Sequence, residues 1–112
     1  MAQFQTFDIV VVPFPYSDRL AEKRRPAIIV SSPHLEELDD VVWVAMITSS
    51  DVGSTGAVVL QDMSSTGLNK PSFVRPAKLA TLETSRILRK TGQLSKADAL
   101  VLSRNLNLLA GF

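Results

Sequence analysis

Apolar positions along this chain come in short unbroken runs rather than in strict alternation. "DIVVVPF" (Asp8 to Phe14), "PAIIVSS" (from Pro26) and "VVWVAMIT" (Val41 to Thr48) are rich in β-branched residues and bounded by prolines or polar clusters. That pattern predicts strands rather than helices, and the third run, apolar at both alternating sets of positions, predicts a central strand covered on both faces. Pro26 at the start of the second strand is acceptable because the first strand position tolerates a missing amide hydrogen. Between the first two runs lies "PYSDRLAEKRR", a polar, turn-rich loop of a length that small domains usually reserve for function.

Further along, "HLEELDD" predicts a helical turn, "SSDVGSTG" a flexible connection and "AVVLQ" a fourth strand. "SFVR" and "AKLATLE" read as two short strands, with "SRILRKTG" adding another before Gly92. The period then changes. Ser95 with Asp98 three residues on is a helix N-terminal capping pattern, and Ala99, Leu102, Leu106 and Leu109 fall on one helical face. Five to seven short strands with one C-terminal helix predict a mainly β fold, a small, strongly curved sheet or partly open barrel. There is no internal repeat and no linker, and 112 residues accommodate a single domain over 1–112.

Composition narrows the chemistry. The apolar fraction of 46% and charged fraction of 21% are those of an ordinary globular chain and exclude disorder. The absence of cysteine removes disulfides, thiolate metal sites and a cysteine nucleophile. The opening "MAQFQTFD" lacks the basic start and apolar stretch of a signal peptide, and no run is long enough to span a bilayer, so a cytoplasmic protein with no membrane partner is expected. The net charge of +1 conceals a segregation: Arg19, Lys23, Arg24 and Arg25 crowd one segment, and Glu36, Glu37, Asp39 and Asp40 the next. Local potential, not the total, attracts an anionic ligand.

His34 is the one histidine, so an acid/base pair of histidines within the chain is excluded. It reads as a surface residue. "EELDD" lacks the spaced oxygen ligands and turn glycine of a calcium loop, which leaves a solvated acidic face and no expected metal or cofactor. "DVGSTG" lacks the frame of a phosphate-binding loop. The basic segment remains. Arg25 precedes Pro26, and a proline holds the residue before it extended. A guanidinium is permanently charged and presents a planar fork of donors, which suits a phosphodiester whose negative charge grows during reaction. Lys23 and Arg24 would add capture; the competing reading is a charge run that solubilises a loop. Thr48 ends the central strand, where its hydroxyl would emerge at the sheet's rim with Ser49 beside it; alternatively the cluster caps the strand or starts a turn.

Taken together, "DIVVVPFPYSD", "KRRPAIIVSS", "VAMITSS", "GLNKPSFVRPAKLATL" and "GQLS" resemble, in order and over nearly the whole chain, the MazF/PemK family of bacterial toxin endoribonucleases. The resemblance implies an SH3-like barrel, a homodimer, an antitoxin protein as partner, and cofactor-free, metal-independent, sequence-specific cutting of single-stranded RNA. The RNA 2′-hydroxyl would then be the nucleophile and a cyclic phosphate the product. It maps the family's catalytic arginine and threonine onto Arg25 and Thr48, its serine before the fifth strand onto Ser72, and an assisting arginine onto Arg75. The remaining RNA contacts would come from Lys23, Arg24 and Ser49. Tyr16 and Phe73 are aromatic candidates for stacking bases, Tyr16 the better placed because it lies in the polar loop. Two positions depart from the family: Phe7 stands where glycine is usual, and Ala77 where some members carry an acidic residue, so a mechanism that uses that carboxylate is not implied. Two other readings compete, a gyrase-directed toxin like those of the related CcdB group and a non-catalytic nucleic-acid-binding barrel.

Overall fold

The computed structural model describes residues 2–14, 23–49 and 57–111, with the backbone alone described at Phe14 and Lys23. Six strands form one sheet in the order β4-β5-β3-β2-β1-β6. They are β1 (Asp8–Phe14), β2 (Lys23–Ile29), β3 (Val41–Thr48), β4 (Val58–Val59), β5 (Phe73–Glu83) and β6 (Arg89–Gln93), and the neighbouring pairs are antiparallel. A short helix α1 (Pro33–Asp39) joins β2 to β3, and α2 (Lys96–Ala110) follows β6. The mainly β expectation with a C-terminal helix holds.

The unbroken apolar runs have a direct cause, because both faces of the sheet are buried. On one face Ile9, Ile28, Ala45, Ile47 and Val74 pack with Leu94 and Leu102, the latter on α2. On the other, Val10, Val12, Ala27, Ile29, Val44 and Met46 form a second cluster, joined by Phe4 and Ile87. Consecutive strand residues therefore enter different cores, and neither set is free to be polar.

Several element boundaries differ from the sequence reading. β2 begins at Lys23, not Pro26, because Lys23, Arg24 and Arg25 pair with Phe14, Pro13 and Val12. The basic residues thus lie in a strand. "AVVLQ" contributes only Val58–Val59 as strand. "SFVR" and "AKLATLE" are one strand, β5, whose register against β3 jumps from Met46–Arg75 to Ala45–Leu79. Pro76 lies in that jump, where it has no amide to offer the ladder. The segment after it is a 3-10 turn (Thr84–Arg86) followed by β6, which runs through Gly92 to Gln93. Two apolar positions also depart from expectation: Trp43 of β3 is 51% exposed and Leu109 of α2 is 56% exposed. Leu109 is the last residue but one of α2, whereas Trp43 lies inside β3, paired with Thr81 between the buried Val42 and Val44, so β3 is not covered along its whole length on that face.

Buried carboxylates hold the connections. Asp8 (1% exposed) accepts from the Gln5 amide at 2.8 Å and from Gln93 Nε2 and Lys90 Nζ, each at 3.2 Å, tying the entry of β1 to β6. That entry passes through Phe7 at φ +71°, the left-handed conformation in which glycine would be unstrained. Glu36 of α1 accepts from the amides of Gln3 and Phe4 and anchors the N-terminal segment. No described helix is long and apolar enough to cross a membrane.

Candidate nucleic-acid interface

A cleft of about 470 Å³ opens where β2 and β3 part. Its cause is Pro26. The Val30 amide donates to the Trp43 carbonyl at 2.9 Å, and in an antiparallel pair every second residue faces the same neighbour. Residues 28 and 26 therefore also turn their backbone toward β3. Pro26 has no amide hydrogen, and the ladder stops at Ala27–Met46. Beyond that pair Arg24, Arg25, Thr48 and Ser49 line the opening.

Strand pairing explains which side chains share a face. Val12 of the second cluster pairs with Arg25, while the next row along runs Val10–Ala27–Met46–Arg75. Continuing the β2–β3 register by two residues sets Arg25 opposite Thr48, and Thr48 in turn pairs with Phe73. Arg25, Thr48, Phe73 and Arg75, far apart in sequence, thus occupy one face at one end of the sheet. Arg25 is exposed and Thr48 half-buried. Arg75 sits one pair further in, outside the cleft lining, and its Nε is sealed from solvent without a hydrogen-bond partner.

The opposite wall is the segment from Leu68 to Ser72, contributing Leu68, Asn69, Lys70 and Ser72. It closes a loop that starts at Leu60, whose amide donates to the Ser72 carbonyl at 3.1 Å. Asp98 of α2, 2% exposed, accepts from the amides of Gln61 and Asp62 at 3.0 and 3.1 Å. Ser95 caps the same helix by accepting from the Asp98 amide, as the capping pattern predicted. Asp62 Oδ1 accepts from the Ser64 hydroxyl at 2.6 Å and its amide at 3.0 Å, and these bonds hold the Asp62 carboxyl below its ordinary 3.8. Thr66 donates to the Met63 carbonyl and accepts from the Leu68 amide. The loop also lies hard against β6. A Cβ on Gly92 would collide with the Ser65 carbonyl and Thr66, and one on Gly67, at φ +72°, with the Thr91 carbonyl. Gly92 is therefore what lets the cleft wall seat on the sheet.

Among the sequence-predicted residues, Arg24, Arg25, Thr48, Ser49 and Ser72 meet at this cleft. The Ser72 hydroxyl is buried and donates to the Lys70 carbonyl at 2.8 Å, so it shapes the wall. Tyr16 lies outside the described residues, as does the Lys23 side chain. His34 is exposed on α1, away from the cleft lining. Sequence reasoning missed Asn69 and Lys70. A signal for Lys70 was present: Lys70–Pro71 repeats the cation-before-proline arrangement of Arg25–Pro26, as does Arg75–Pro76. The described cleft lining carries Arg24, Arg25 and Lys70 and no carboxylate, so its potential favours an anion.

Solved structures share this architecture. A MazE-MazF crystal structure from Deinococcus radiodurans superposes with a TM-score of 0.79 at 18% identity, covering 97% of both chains. The Mycobacterium tuberculosis toxin MazF-mt6 gives 0.75 at 22% identity, covering 94% of this chain and 97% of that one. A mycobacterial endoribonuclease in complex with its cognate antitoxin gives 0.79 at 15% identity, covering 97% and 96%. At these identities the likeness establishes the fold. No curated protein sequence matches the chain. Residues 5–110, however, match a family defined by sequence, and on that match the chain belongs to the PemK-like, MazF-like toxins of type II toxin-antitoxin systems.

Proposed function

We propose that this toxin is a metal-independent endoribonuclease that cuts single-stranded RNA in a sequence-specific manner, with Arg25 and Thr48 as its catalytic residues. The observation that carries the reading is the convergence of Arg25 and Thr48 on one cleft whose described lining is cationic and free of carboxylates. The substrate supplies its own nucleophile. Its 2′-oxygen forms a bond to phosphorus while the bond to the 5′-oxygen breaks; the 2′-proton passes to solvent and the leaving oxygen takes one up. The products are a 2′,3′-cyclic phosphate and a 5′-hydroxyl. What the protein supplies is orientation and stabilisation of a phosphorane more negative than the starting diester. Arg25, always charged, does this electrostatically, and the Thr48 hydroxyl bonds a phosphate oxygen and holds it in line.

Arg24, Lys23 and Ser49 belong to the surrounding RNA-binding surface, Ser72 contributes to it by shaping the wall through its bond to the Lys70 carbonyl, and Arg75 reaches the same face from the next row. Tyr16 stacks a base. The protein acts in the cytoplasm as a homodimer, held inactive by an antitoxin whose acidic or flexible segment covers the positive cleft. Trp43 and Leu108, 51% and 81% exposed, are apolar surface of the kind a second copy covers.

Incubation with a long RNA in EDTA, followed by mapping of new 5′ ends, tests the activity. Discrete cuts support it. Intact RNA bound with steep salt dependence would instead mark a non-catalytic binding barrel. Intact RNA with inhibition of DNA gyrase would mark a toxin of the other type.

A further inference from the structure

The cleft wall facing Arg25 and Thr48 carries two side chains with no part in that chemistry, Asn69 and Lys70. We infer that Asn69 and Lys70 form a nucleotide subsite in which Asn69 reads the base, adenine by preference, and Lys70 holds the adjoining phosphate. This rests on the cleft being an RNA site and adds to it a residue that sets sequence preference.

Most of the loop's other polar side chains are spent on structure, Ser65 by donating to the Gln93 carbonyl. Gln61, which like Asn69 makes no side-chain hydrogen bond among the described residues, lies outside the cleft lining. Ser72 donates to the Lys70 carbonyl, Thr66 is bonded on both sides, and Asp62 holds Ser64. Asn69 is exposed and makes no side-chain hydrogen bond among the described residues, so its amide keeps a donor beside an acceptor for a ligand. The wall is stiff where it needs to be. Pro71 restrains Lys70 to extended backbone, and the Asp98 bonds and the close seat against Gly92 anchor the loop from behind. A rigid backbone presenting a short amide suits specificity, because a short side chain loses little entropy on binding. The amide pairs with an adjacent donor and acceptor, which every base offers on its Watson–Crick edge but only adenine offers again at N6 and N7, where guanine presents two acceptors and pyrimidines have no ring nitrogen. Lys70 is a point charge, suited to a phosphate and indifferent to the base.

Binding of short 2′-O-methyl oligonucleotides of A, C, G or U tests this without cleavage, since the blocked 2′-oxygen cannot attack. Wild-type protein should favour the A oligonucleotide. Asn69→Ala should lose on the order of tenfold in affinity for it, with little change for U. Lys70→Ala should weaken all four alike and lower the slope of log affinity against log salt by about 0.7. Equal discrimination by Asn69→Ala and wild type overturns the subsite, as does base-selective loss in Lys70→Ala. Should wild type leave ordinary RNA uncut yet show the Asn69-dependent preference, the subsite stands and the proposed cleavage falls. Both positions are exposed, and a far-ultraviolet spectrum matching wild type confirms that each variant is folded.

Discussion

At the scale of single residues, the weight falls on Arg25. Its backbone pairs with Val12, Pro26 follows it, and its side chain shares a face with Thr48, so its guanidinium is delivered by a strand rather than by a free loop. Removing a preorganised donor aimed at developing negative charge costs about 10²–10³ in rate. Arg25→Ala should therefore remain folded and cleave RNA at least about 10² more slowly. Arg24, next along the chain, lines the same cleft but alternates to the other face, and replacing it should affect binding more than turnover. Much of this was legible in the sequence, because a cation before a proline has a physical meaning wherever it occurs. The same signature at Lys70–Pro71 went unread for want of the topology that brings that loop across from β2. Nothing in the sequence could reveal the orphaned Arg75 Nε, which follows from burial by distant residues.

At the scale of elements, the cleft exists because β2 and β3 separate. Pro26→Ala would restore an amide opposite Ile47 and extend the ladder. A backbone hydrogen bond contributes about 0.5–1.5 kcal/mol, whereas losing proline's restraint of the unfolded chain costs about 0.4–1 kcal/mol. Stability should thus stay within about 1 kcal/mol of wild type while cleavage falls and a newly protected amide appears at position 26, both readable by hydrogen exchange and an activity assay. Unchanged cleavage with a protected amide would detach the cleft from function. Asp98 performs the complementary task of holding the far wall. Asp98→Ala leaves two amides of the Gln61–Asp62 turn without their acceptor, and chemical denaturation should show a loss on the order of 2–4 kcal/mol. Asp62, exposed and bonded to Ser64, titrates below its ordinary value. Its folded form holds fewer protons than the unfolded chain, so the contribution of the turn is present above pH 3.8 and is lost as pH falls further. The Ser64 amide resonance, followed by NMR, should shift in that range and not near neutrality.

Strand existence was readable from the apolar runs, and the helix cap from Ser95 and Asp98. Strand limits were not. Lys23–Arg25 extend β2 because they pair with β1, and β5 continues across Pro76 because β3 supports both halves. Each outcome is set by a partner strand remote in sequence, which local propensity cannot register.

For the whole molecule, a two-faced sheet gives this small toxin two cores, one beneath α2 and one on the opposite face, and the cationic cleft sits at the end where β2 and β3 part. This end of the sheet is proposed to break RNA by using the RNA's own 2′-hydroxyl. Mass spectrometry of the fragment ends made by the purified wild-type protein in EDTA tests it most directly. The expected ends are 2′,3′-cyclic phosphates paired with 5′-hydroxyls, at undiminished yield with chelator present. Fragments carrying 5′-phosphates, or cleavage abolished by EDTA, would contradict it.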